Sequence, residues 1–95
     1  MINNRRRADR IAEALRAAFP PAEVTVSDDS HRHAGHAGAR PEGETHYSVR
    51  VVSPVFAGMT RVARSRAAHA ALADEFGTGL HALALELKTP EEAGR

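Results

Sequence analysis

Apolar residues along the chain follow two rhythms, one of three to four positions and one of two. Over residues 5–18, Ala8, Ile11, Leu15 and Ala18 recur at spacings of 3, 4 and 3. They share one face of a 3.6-residue period, which predicts an amphipathic helix. Pro20-Pro21 ends it, because proline lacks the amide donor a further turn needs. A second helix is predicted over residues 60–76. There Val62, Ser65, His69, Leu72 and Phe76 form the stripe and Gly77 follows as a C-terminal cap.

The other rhythm alternates. In E-V-T-V-S, Val24 and Val26 share a face, which suits a short strand. Residues 45–52 set Tyr47, Val49 and Val51 one way and His46, Ser48 and Arg50 the other; this run should pair antiparallel with the first strand. Residues 81–87 place Leu83, Leu85 and Leu87 on one face, with His81 on the same parity. Residues 28–44 hold most of the turn formers and no apolar period, so they predict a long loop. A loop of this length in a small domain is more often functional than not. Pro54 and Gly58 break the connector 53–59, and residues 89–95 read as a frayed tail.

The order is therefore helix, strand, strand, helix, strand. A hairpin followed by a helical crossover gives an α+β fold: a two-layer sandwich with a small three-stranded mixed sheet and helices on one face. Its core should set the strand valines and leucines against Ile11, Leu15, Leu72 and Phe76.

Composition narrows the function classes. Ninety-five residues with 42% hydrophobic content make a single domain, with an ordered core over about residues 5–90. The absence of cysteine excludes disulfides, thiolate zinc sites, a self-held iron–sulfur cluster and a cysteine nucleophile. It fits a reducing cytoplasm, and the charged opening M-I-N-N-R-R-R does not resemble a secretion signal. No apolar run nears the ~18–20 residues of a membrane span, so no membrane partner is expected. A net charge of +1 argues against a nucleic-acid binder that uses its whole surface, and four aromatics are too few for a base-stacking platform. Twelve of the 13 basic residues are arginine, which favours planar contacts with phosphate or carboxylate but also fits codon bias.

Histidine is the more specific signal. His31, His33 and His36 lie in H-x-H-x-x-H within the long loop, within reach of one zinc, copper or iron ion. The alternative is solvated imidazoles with no ligand. His46 reads as a hydrogen-bonding surface residue, His69 as a partly buried member of the helix stripe, and His81 as either a core residue or a ligand. Arg61, Arg64 and Arg66 open the second helix and Asp74 and Glu75 close it, against the helix dipole. Such a helix start could grip phosphate or a carboxylate-bearing partner, or be a solvated face. G-H-A-G (residues 35–38) lies in the hairpin loop rather than between helices, and Asp28 and Asp29 point apart on a strand end. No Gly-rich phosphate loop, nucleophile elbow or Ser–His–acid spacing is present, so neither an enzyme nor a small-molecule substrate is expected.

The motifs D-S-H-R-H-A-G-H (residues 29–36), G-E-T-H-Y (43–47), S-P-V-F-A-G (53–58), R-x-x-R-x-R (Arg61, Arg64, Arg66) and H-A-L-A-L (81–85) resemble the BolA family in order and spacing. The resemblance covers roughly residues 5–90. It implies a KH-like fold of class II and two roles. One is partnership with a monothiol glutaredoxin, sharing a [2Fe–2S] cluster held with glutathione. The other is DNA binding as a transcriptional regulator in morphology and stress responses; here the hairpin loop and the helix start with Arg61, Arg64 and Arg66 would be set against phosphate. For the cluster, the resemblance implies His81 of the H-A-L motif and a loop histidine, His33, with His36 as its rival. Two imidazoles on one iron are known in Rieske centres, where they raise the potential. The sequence departs from the family pattern in three places. Ser65 replaces the histidine of R-H-R, Ala67-Ala68 replaces a bulky pair, and Glu91-Glu92 follows Pro90 where the family has a tryptophan.

Overall fold

A computed structural model describes residues 6–29 and 46–94. The loop histidines His31, His33 and His36 lie outside the described residues. Helix α1 spans Arg7–Ala18, and strands β1 and β2 span Glu23–Asp28 and His46–Val52. A 3₁₀ turn, Pro54–Phe56, leads to helix α2, Arg61–Ala71. A short helix α3, Ala73–Gly77, and strand β3, Ala82–Lys88, complete the order.

The sheet is ordered β1-β2-β3, with β1 antiparallel and β3 parallel to β2. The register keeps each face consistent. Val26 pairs with Val49 and Val49 with Leu85, while Val24 pairs with Val51 and Val51 with Leu87. These side chains meet Ile11 and Leu15 of α1 and Ala68 and Leu72 of the crossover, all fully buried. The sandwich of one mixed sheet and one helical layer is the fold that the alternation predicted. Phe19 and Phe56 close one end, with ring centroids 4.8 Å apart. Ser53 is fully buried and fixes this corner: its hydroxyl donates to the Phe19 carbonyl at 2.8 Å and accepts from the Val55 amide at 3.1 Å.

The second helix differs from its predicted form. It is interrupted at Leu72, and its inward face is Arg64, Ala68, Leu72 and Glu75. Val62 is 58% exposed and His69 is exposed, so the predicted stripe is displaced by about one position. The cause is charge pairing. Arg64 and Glu75 look solvent-facing by type, but each is buried because a partner of opposite charge goes with it. His69 is accordingly not a buried packing residue. Its Nδ1 lies 2.8 Å from the Ser65 carbonyl, and its ring stacks on Phe76 at 5.4 Å across the break. The left-handed backbone after the helix falls at Gly79 (φ +124°) and not at Gly77.

Nor do residues 89–94 form a frayed tail. Thr89 is buried, its hydroxyl accepts from the Glu92 amide at 3.2 Å, and Glu92 Oε1 accepts from the Thr89 amide at 2.9 Å. This reciprocal pairing in T-P-E-E is a capping box with proline in its first turn.

Candidate functional site

Three elements converge at one end of the sheet. β1 ends and β2 begins there, and the Asp29 amide donates to the His46 carbonyl at 2.8 Å, which ties together the two roots of the long connection 30–45. Because β3 runs parallel to β2, with Ala82 opposite His46, the chain enters β3 at the same end. His81 is the residue immediately before that strand and is exposed. The turn before it is anchored by buried Leu80, whose amide donates to the Glu75 carbonyl at 3.0 Å.

Against the sequence-based expectation for a strand-surface position, His46 is only 8% exposed. Its ring lies beside that of His81, with centroids 5.2 Å apart and planes inclined at 53°. Asp29, whose amide bonds the His46 carbonyl, is buried and accepts hydrogen bonds from the hydroxyls of Ser27, at 3.1 Å, and Ser48. The parity rule located His46 on the outer face correctly but could not show that His81 covers that face at its end.

The supporting framework is ionic. Glu75 Oε1 accepts from Arg7 at 2.7 Å, and Arg10 Nε donates to Oε2 at 2.9 Å. Arg7 also donates to the Thr78 hydroxyl and carbonyl, at 3.0 Å each, so α1 is tied to the turn that delivers His81. Burial pushes the Glu75 carboxyl up, but hydrogen bonding and charge from Arg10, and then Arg7, outweigh it and hold its pKa below the usual value.

The three helix arginines do not form one basic face. Arg61 and Arg66 are exposed, whereas Arg64 is 8% exposed and its guanidinium is already occupied. It donates to the Met59 and Leu87 carbonyls at 3.1 Å each and to both oxygens of Glu92. It also lies over the Phe56 ring, 5.7 Å from the centroid. The Arg64 hydrogen bond, followed by the Thr89 amide, draws the Glu92 carboxyl down to about 2. Arg61, Arg64, Lys88 and Glu92 line a groove of about 970 Å³ between the start of α2 and β3. Two of its cations are taken up by acids, Arg64 by Glu92 and Lys88 by Glu86 at 3.1 Å.

Among the described residues no group of three or more His, Cys, Asp or Glu side chains could hold a metal ion. His81, which is exposed, could contribute a nitrogen donor to a site completed elsewhere. No helix of the described residues is long and apolar enough to cross a membrane.

Comparison with known proteins adds an independent line. A family model described as BolA-like protein matches residues 15–92. Protein BOLA1, chloroplastic, of Arabidopsis thaliana is 45% identical over 89 residues, covering 92% of this chain and 56% of the relative. The chain thus spans little more than half the length of that relative. The DNA-binding transcriptional regulator BolA of Escherichia coli K12 is 43% identical over 84 residues, covering 88% of this chain and 76% of the relative. Among solved structures, the BolA domain of SufE1 from Arabidopsis thaliana matches with a TM-score of 0.80 and 41% identity, over 97% of this chain and 99% of that one.

Proposed function

The chain belongs to the family of BolA-like proteins, and from that premise we propose that it is a non-enzymatic partner of a monothiol glutaredoxin, with which it shares a [2Fe–2S] cluster. One observation carries the reading: exposed His81 stands at the end of the sheet where both roots of the histidine-bearing connection 30–45 are tied together. The donor set fits a shared cluster and not a self-contained one. The chain offers imidazole and has no thiolate, so sulfur ligands must come from the partner and glutathione. The cluster supplies one-electron redox chemistry and is also the cargo of any transfer. The part of this chain is to present nitrogen donors from a fixed frame: His81, and His33 or its rival His36 from the connection.

The test is reconstitution of the mixed complex from this chain, a monothiol glutaredoxin, glutathione, iron and sulfide, read by visible absorption and circular dichroism. His81→Ala should abolish the mixed-complex spectrum while the far-ultraviolet spectrum stays native. His33→Ala should weaken it strongly, with partial rescue by His36. A parent-like spectrum from His81→Ala would remove the anchor of the reading.

A second reading, DNA binding, is favoured by the name of the Escherichia coli relative and by the exposed Arg61 and Arg66 at the start of α2. It is the weaker one here. Arg64, which would join them into one basic face, is already held by Glu92.

A further inference from the structure

His81 has a neighbour that neither role requires. His46 is almost fully buried on the outer face of the central strand, and its ring lies 5.2 Å from that of His81, tilted by 53°. We infer that His46 is a positioning residue, a ring buttress that holds the exposed His81 imidazole in place for a partner-held metal centre. The inference rests on the reading of His81 as a ligand and deepens it.

The argument begins with the backbone. His46 is the first residue of β2 and faces Ala82 across the parallel ladder, so His81 sits one position before a paired residue. Leu80 on the other side is buried and hydrogen-bonded. The Cα of His81 is therefore fixed, but its side chain is exposed and would otherwise sample several rotamers. A ligand that must be ordered on binding loses affinity, and one that is already ordered does not. A flat ring from a fixed neighbour restricts rotation without competing for the metal.

Burial separates the roles of the two histidines. A donor offered to a second protein has to be accessible, which suits His81; His46, at 8% exposure, is placed to support and not to reach out. Groups that orient a metal ligand typically contribute ten- to hundredfold in affinity, and a buttress that acts through shape alone belongs at the low end of that range.

The experiment compares His46→Ala with His46→Phe, which keeps a flat ring and removes both nitrogens. In the free protein, the His81 ring protons, read by NMR, should move toward their random-coil positions in His46→Ala and stay displaced in His46→Phe. In the reconstituted complex with glutaredoxin, His46→Ala should weaken the mixed complex about tenfold, and His46→Phe should restore most of that loss. If His46→Phe falls as far as His46→Ala, the nitrogen matters and the buttress is wrong. If His46→Ala matches the parent in both measurements, the ring contact has no such role. A spectrum lost in His81→Ala but unchanged in His46→Ala overturns the buttress alone. A parent-like spectrum in His81→Ala overturns the ligand reading as well.

Discussion

The carboxylate of Glu92 grips the guanidinium of Arg64 at two points, 2.6 and 3.1 Å, and so ties the last turn of the described chain to the start of α2. Two planar groups matched in this way make a stronger and more directional contact than a single ion pair.

This contact gives the fold an acid sensitivity of defined sign. The Glu92 carboxyl is lowered to about 2 in the folded protein, against an ordinary value of about 4.3. A depressed carboxyl contributes stability that is full above its unfolded pKa and is lost as pH falls through the folded value. Glu92→Gln should therefore melt below the parent at pH 7. The gap between their melting temperatures should close between about pH 4 and pH 2. A gap that keeps its pH 7 size down to pH 2 would mean that the carboxylate charge contributes nothing.

Arg64 should behave unlike its two neighbours toward nucleic acid. In duplex DNA titrations over a range of salt, Arg61→Ala and Arg66→Ala should each flatten the log–log slope by about 0.9. Arg64→Ala should leave the slope unchanged and lower the melting temperature instead, because its guanidinium already serves Glu92 and two carbonyls. Three equal slope changes would place Arg64 on the contact face.

The carboxylate of Glu75 is the hub for two cations. Glu75→Ala leaves the buried Arg7 guanidinium without its acid and should cost roughly 3–5 kcal/mol in urea unfolding. A loss below about 1 kcal/mol would show that water replaces the carboxylate.

Leu72 lies at the break between α2 and α3 and is fully buried against the sheet. Leu72→Ala should cost about 2–5 kcal/mol, a large share of the stability of a domain this size. His69→Ala should cost under about 1 kcal/mol, since His69 is exposed, and should leave any cluster spectrum unchanged. The contrast between these variants separates the observed helix face from the predicted stripe.

Where strands and helices are amphipathic, their sequence is enough. Val24 and Val26, Tyr47, Val49 and Val51, and Leu83, Leu85 and Leu87 alternate cleanly because one sheet face is covered and the other is not. The rule fails where burial is achieved by pairing. Arg64 and Glu75 occupy inward positions of the second helix, and no hydrophobic count assigns them there. Their partners, Glu92 and Arg7, lie 28 and 68 positions away, so the pairing is invisible locally. The capping box T-P-E-E is a local signal, and it marks an ordered turn where composition alone suggests a frayed tail. At the candidate site, the H-A-L-A-L motif points to His81, but only the parallel register of β3 puts His46 beside it.

The central strand pairs with one neighbour through a hairpin connection and with the other only after a helical crossover. Neither Arg7 nor Val49 meets its final partners until the chain as far as Glu75 and Leu85 is present. About half of the native contacts join distant parts of the sequence, and closing such long loops slows folding relative to a helical bundle of equal size. On a ribosome, the N-terminal two-thirds of this domain would emerge with α1 available to the sheet but with one edge of β2 unpaired and the cover from Ala68 and Leu72 missing. Strand β3 and the turn that follows it act as the latch that closes this edge, so a cut between Leu72 and Leu83 should yield an aggregating fragment, seen by light scattering, and not a smaller folded core.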